Sequence, residues 1–304
     1  MLKRPMKAPT EPITDEELKL IKYPVVGSPK FDGFLCNVDE RGGLTSSLKP
    51  FTNRFTDREL KNPILRGLAG ELIVGSPTAC DENGLSQVFH NTSGPLRRFD
   101  GEPDFRFYVF DTHINGGYSY KYRWLDLEVP DHPRVIKVEQ RLLHCADDVL
   151  KYEEEMVLAG YEGAMIRSLS GLYKEGRCTF KEMNIFKRKP FSECEAEIID
   201  IEEQMANLNE AVLDERGLTK RSSSKENKAP KGTLGIFVLR SRLWERSFKA
   251  AAGKGFNDER KQEIWNNRQS YLGETVVVQY QKYGSIDRPR MPKVIKIRPS
   301  WDIE

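Results

Sequence analysis

Lys30-Phe31-Asp32-Gly33 places a lysine amine beside a carboxylate at a tight turn. Alone this pattern is weak, because Asp-Gly is a common turn pair and a surface turn is the simpler reading. Four downstream segments, in order, change the weighting: Gly70-Glu71-Leu72, the run from Phe107 to Asp111, Glu162-Gly163 with Arg167, and Lys187-Arg188-Lys189. Lysines and carboxylates in this series suit covalent nucleotidyl transfer, in which a neutral lysine amine attacks the α-phosphorus of a nucleoside triphosphate. Carboxylates would hold a metal or ribose, and further cations would offset the charge that builds on the phosphates.

Each member also has a plainer reading. Glu71 enters the apolar stretch Leu72-Ile73-Val74, and Glu162 precedes Gly163-Ala164-Met165-Ile166; either alone reads as a solvated strand end. Together they could hold a metal ion. Lys187 and Lys189 share a face if they lie on a strand, and that face could grip a triphosphate. Phe110 ends an aromatic strand and could stack on a purine, or simply fill a core. The histidines (His90, His113, His132, His144) share no ligand spacing.

Short strands and turns must position these residues. Strands are expected at 25–26, 34–38, 70–74, 105–110 and 164–167, from their β-branched and aromatic content. A short helix is expected at 15–21 and a longer one at 135–159, with Leu142, Leu143, Ala146, Val149 and Leu150 on one face. Composition shifts near Pro190. Strands are expected beyond it at 195–202, 234–239, 275–280 and 294–297, which a small β-barrel would accommodate. The stretch 207–231 reads as polar and charged, and its core, Lys220 to Lys225, as basic, serine-rich and mobile.

The 304 residues and 38% hydrophobic content allow two domains with sizeable cores. Charged residues make up 31% of the chain but leave a net charge of +2, so a nucleic-acid surface has to come from local clustering. Cys36, Cys80, Cys145, Cys178 and Cys194 show no metal-ligand spacing and read as free thiols in a reducing compartment. No apolar run approaches a membrane span, and a soluble, cytoplasmic protein is expected.

The ordered motifs resemble those of the ATP-dependent DNA ligases, the short bacteriophage type above all, over nearly the whole chain. The resemblance implies an α+β chain: residues 1–190 form an adenylation (nucleotidyltransferase) domain of packed antiparallel sheets with helices, and residues 191–304 an OB-fold β-barrel. It implies that Lys30 becomes adenylylated, that Ser28 contacts adenine, and that Phe110 stacks on it. Glu71 and Glu162 become metal-associated residues, Glu71 also a ribose contact, and Lys187 and Lys189 contact phosphates. Segment 253–259 resembles the ligase element Gly-x-Gly-Phe-Thr-Asp, and 288–298 the last motif of the superfamily, in which Arg290 would orient pyrophosphate. ATP with Mg2+ or Mn2+, nicked double-stranded DNA as partner, no membrane, a monomer, and the host cytoplasm if the source is viral are the further implications.

Two positions depart from the family. Leu35 and Ser46 stand where arginines are usual, which would weaken 5′-phosphate recognition or slow the reaction unless Lys49 or Arg54 substitutes. An RNA ligase or mRNA guanylyltransferase shares the same chemistry, and a non-catalytic nucleic-acid clamp could share the same fold.

Overall fold

The strand Phe105–Thr112 shows how the first part of the chain is built. Phe105, Phe107 and Val109 are buried while Arg106, Tyr108 and Phe110 keep some surface, as a strand with one face on a core requires. The computed structural model describes residues 1–298 other than 83–85, 115–116, 282 and 286. The chain divides into two compact units, Met1–Lys189 and Pro190–Glu304.

In chain order the first unit comprises α1 (Asp15–Leu18), β1 (Val25–Lys30), β2 (Phe34–Asp39), β3 (Gly42–Leu44), α2 (Arg54–Glu59), β4 (Leu68–Val74) and α3 (Val88–Arg97). There follow β5 (Phe105–Thr112), α4 (Tyr120–Leu125), β6 (Val135–Lys137), β7 (Arg141–Leu143), α5 (Ala146–Leu158), β8 (Gly163–Ser168) and β9 (Ile185–Arg188). One sheet has the order β3-β2-β4-β5-β6, the other β7-β1-β8-β9. A core of Cys36, Leu72, Phe105, Phe107 and Val109 lies against the first sheet. Val25, Ile166 and Phe186 of the second sheet pack with Val149 and Tyr152 of α5. A third cluster packs Phe31, just after β1, with Ile73 of β4, Val88 of α3 and Val138, and has Tyr108 and Phe110 of β5 at its edge.

The expected helix at 135–159 is corrected: only Ala146–Leu158 is helical. Val135 and Ile136 pair parallel with Phe107 and Tyr108, and Leu142 and Leu143 pair with Val26 and Val25. Leu143 is buried and Leu142 is 38% exposed, which is strand alternation that happens to coincide with helical spacing. α2, α3 and α4 were not expected from the sequence; α2 is capped by Asn53, whose side chain accepts from the Thr56 amide at 2.8 Å.

The second unit comprises β10 (Ser192–Asn207), β11 (Ala211–Leu213), β12 (Thr219–Arg221), β13 (Lys228–Arg240), β14 (Phe248–Ala252), α6 (Asp258–Asn266), β15 (Thr275–Gln281) and β16 (Arg290–Ile297). Strands β10-β13-β14-β16-β15 form a closed barrel. Cys194, Ala196 and Ile198 alternate inward; a register shift between Ile198 and Asp200 then brings Ile201 inward three residues on. Phe237, Val276, Val278 and Val294 complete the core, and α6 packs Ile264 against it. Within the segment 207–231 regular structure is confined to the ends of β10 and β13 and to two short strands. β11 and β12 pair as a hairpin, and Asn209 is buried with its amide donating to Asn207 Oδ1, Ser222 O and Ser224 O. Side-chain-to-backbone bonds order it, which polar composition does not reveal.

Candidate functional site

Lys30 ends β1, and its strand neighbour in the antiparallel pairing with β8 is Gly163. The Glu162 amide donates to the Lys30 carbonyl at 3.1 Å, and the Lys30 ammonium forms a short ion pair with Glu162 Oε2. The two residues lie 132 positions apart in sequence. Glycine is needed at 163: its φ is +148°, and a Cβ there would meet the Arg188 carbonyl at 2.2 Å. Gly33 has a similar role on the other side of the turn, where a Cβ would meet the Leu72 carbonyl at 2.4 Å. Its absence of a side chain lets β2 start against β4, with Phe34 opposite Leu72 and Leu35 opposite Glu71.

β9 supplies the further cations. Lys187 lies opposite Met165 of β8, and Lys189 follows the strand, its ammonium 3.7 Å from Glu162 Oε1. Arg188, between them, points away and pairs with Glu153 of α5 at 2.6 Å. The period-two expectation for Lys187 and Lys189 thus has a visible packing counterpart. Burial, then the charges of Lys189 and Lys30, bring the Lys187 ammonium down to about 8. Burial pushes the Glu71 carboxyl up to about 8; Asp32 and Glu162 add to the rise, while Lys30 and the Gly33 amide oppose it. Lys30, Asp32, Glu71, Glu162, Lys187 and Lys189 therefore act as one charge cluster. Asp32, 8% exposed, is a member the sequence reading passed over although it stands within the lysine motif itself.

Beside this cluster Ser28 is buried, and its Oγ accepts from Arg167 Nη1 at 2.9 Å. The Arg167 guanidinium lies 4.7 Å from the centroid of the Phe110 ring. Phe110 is braced from behind. Its carbonyl accepts from Gln140 Nε2 at 2.9 Å and lies 3.0 Å from the Tyr120 hydroxyl. The next residue, Asp111, makes a buried two-point ion pair with Arg123, at 2.9 and 3.3 Å. Arg123, Tyr120 and Gln140 have no short-range motif and only the folded chain identifies them.

The structure thus brings Lys30, Glu71, Glu162, Lys187 and Lys189 together, with Ser28 and Phe110 linked through Arg167. Arg290 belongs to the second unit, where it opens β16 opposite Gln281 and its amide donates to Ser285 Oγ at 2.9 Å. Among the described residues no group of three His, Cys, Asp or Glu side chains could hold a metal. Two carboxylates are nevertheless a fitting donor set for a magnesium-like ion, which takes its remaining ligands from phosphate and water. Among the described residues no helix is long and apolar enough to cross a membrane.

No protein-family model matches the chain, and no curated protein matches it in sequence. Among solved structures it is similar to the Chlorella virus DNA ligase-adenylate: at 24% identity in one crystal structure, over 98% of this chain and 100% of that one, with a TM-score of 0.53. In a second structure of that protein the identity is 25%, over 99% of each chain, with the same TM-score of 0.53. A Lig E DNA ligase aligns at a TM-score of 0.64 and 18% identity, over 98% of this chain and 100% of that one. The chain has the fold of the DNA ligases, which are enzymes, and with its ordered lysine and carboxylate motifs it resembles the short ATP-dependent members of that group.

Proposed function

We propose that the chain is an ATP-dependent DNA ligase that seals 3′-OH/5′-phosphate nicks in duplex DNA, working as a monomer. The observation that carries this reading is the Lys30 amine, 19% exposed, set against Glu162 and backed by Lys187 and Lys189. Residues 1–190 are the adenylation domain in this reading, and the barrel of residues 191–304 is an OB-fold domain.

Lys30 Nζ attacks the α-phosphorus of ATP, the bond to pyrophosphate breaks, and a lysyl-AMP forms. The amine attacks only when neutral; Glu162 Oε2, already in contact, is the nearest place for its proton. Lys187 and Lys189 hold the phosphates, and Phe110 supports the purine from one side. Next, an oxygen of the DNA 5′-phosphate attacks the adenylyl phosphorus, the P–N bond breaks and Lys30 is restored. The 3′-hydroxyl then attacks the 5′-phosphate and AMP leaves. Each transfer depends on in-line placement and charge neutralisation. A divalent cation, Mg2+ or Mn2+, held by Glu71 and Glu162, would supply positive charge to the phosphates.

The test is incubation with labelled ATP followed by denaturation. The wild type should retain covalent label, and Lys30→Ala should retain none. Lys30→Arg should fail as well, because a guanidinium stays protonated. Label taken from GTP instead would point to a guanylyltransferase, and sealing of nicked RNA in preference to DNA to an RNA ligase. Label on the Lys30→Ala protein would refute the assignment.

A further inference from the structure

Behind the strand that carries Lys30, the first unit holds a cavity of about 300 Å3. Side chains alternate in direction along β1. Ser28 and Lys30 serve the candidate nucleotide site, whereas Pro29, and Phe31 just past the strand, line this cavity. Phe31, Tyr108 of β5, Tyr152 of α5 and Tyr161 give it four aromatic rings. The Phe31 ring centroid lies 5.0 Å from that of Tyr108 and 5.5 Å from that of Tyr161, which meets it edge-on. Burial raises the phenol pKa of all three tyrosines, so these walls stay neutral.

The polar groups that line the cavity differ in how far they are already engaged. Arg141 pairs with Glu155, and its guanidinium lies 4.5 Å from the centroid of the Tyr152 ring. Lys137 Nζ donates to the Leu127 carbonyl. The Gln140 side chain donates to the Phe110 carbonyl and accepts from the Tyr120 hydroxyl. Glu139 is exposed and pairs with no cation among the described residues. The cavity therefore combines electron-rich rings with one uncompensated carboxylate, and a guanidinium already sits over one of those rings. Aromatic faces attract a cation, more strongly where water is excluded. An anion would meet Glu139 while both nearby cations are engaged elsewhere, and a neutral apolar molecule would leave the carboxylate unused.

We propose that this cavity binds a small organic ammonium ion, its apolar body against Phe31, Tyr108 and Met156 and its charged end beside Glu139. The site is separate from the Lys30 cluster and does not rest on the ligase reading. The probe is phenethylammonium, compared with phenethyl alcohol and hydrocinnamate, which are close to it in size but neutral and anionic. Binding is followed by NMR on the full chain with isotopically labelled methionine methyl groups. Of the seven methionines, Met156 is the one that lines the cavity among the described residues, and Met156→Leu assigns its signal. Phenethylammonium should shift that signal saturably and bind about fivefold or more tightly than phenethyl alcohol, with hydrocinnamate weaker still. Glu139→Gln should lower the preference by about twofold or more, and Glu139→Lys should abolish it. Glu139 is exposed, so folding is not at stake. Lys30→Ala should bind the probe as the wild type does. The proposal is overturned by a Met156 signal that does not move, by equal affinity for the three probes, or by a Glu139→Lys variant that keeps the full preference. Loss of binding in Lys30→Ala would overturn it too, since that would place the probe in the candidate nucleotide site.

Discussion

Burial, with Asp32 and Glu162 nearby, moves the Glu71 carboxyl from 4.5 to about 8 even though Lys30 pulls the other way. The folded chain thus holds this proton more tightly than the unfolded chain does. The stability that comes from the protonated group is fully present below about pH 4.5 and is lost as pH rises towards 8. Lys187 acts in a separate window, from about 8 up to 10.5, because its charge is the disfavoured state. Glu71→Gln should therefore flatten the decline in stability between these limits. In nucleotide-free protein without divalent cations it should add on the order of 1–3 kcal/mol at pH 8. Urea midpoints of wild type and variant at pH 5 and pH 8 check this. A variant that tracks the wild-type decline across the window would show that Glu71 does not carry it. If Glu71 holds the metal as proposed, the same substitution should depress AMP transfer, since a carboxylate costly to the fold would then serve the reaction.

The hairpin β11–β12 is the element with the clearest separate task. It exposes Val212 and Leu213 on one strand and Lys220 and Arg221 on the other, and Lys225, Lys228 and Lys231 come after it. We propose that these cations contact the DNA backbone. Neutralising all five should weaken binding to nicked duplex and lower the log–log salt slope by about 0.9 for each phosphate left without its cation. AMP transfer to Lys30 should stay close to wild type. Arg221 also donates to the Asn209 carbonyl, so a companion variant that spares Arg221 separates charge from hairpin structure. An unchanged salt slope in both variants would mark the hairpin as a solvated projection.

At the scale of the whole molecule, a candidate nucleotide site in one unit is joined in sequence to a barrel in another. We propose that Arg290 contributes to the first chemical step only, by orienting pyrophosphate as it leaves. Arg290→Ala should then lower AMP transfer to Lys30 by about tenfold or more. Sealing of a nick that is already adenylylated should persist, because that step releases no pyrophosphate. The plainer alternative is that Arg290 braces β16. Of the acidic residues near it in sequence, Asp287 pairs with Arg246 at 3.3 Å and with Arg288 at 3.1 Å, and Asp302 lies outside the described residues. A bracing role would lower the melting temperature and both reactions together. A variant of normal melting temperature that is equally poor in both reactions would rule out the step-specific role.

Local order along the chain was enough to single out Lys30 as a candidate, to set Lys187 and Lys189 two apart at the end of one strand, and to locate most of the strands of the barrel. These are properties of spacing, and backbone geometry turns spacing directly into direction. Where two local periods coincide, as in 135–159, spacing alone could not decide between strand and helix; pairing with β5 and β1 did. Nor could spacing reveal that the Asn209 amide orders a basic segment, or that α6 would begin at the Asn257 cap, although the Asn-Asp-Glu start was readable. Only the tertiary structure set Glu162 against Lys30, because that contact depends on the antiparallel register of β1 with β8. It alone raised Glu71 and paired Asp111 with Arg123. Charge state and proximity are set by what the rest of the chain excludes from water and brings close, and no local stretch of sequence contains that information.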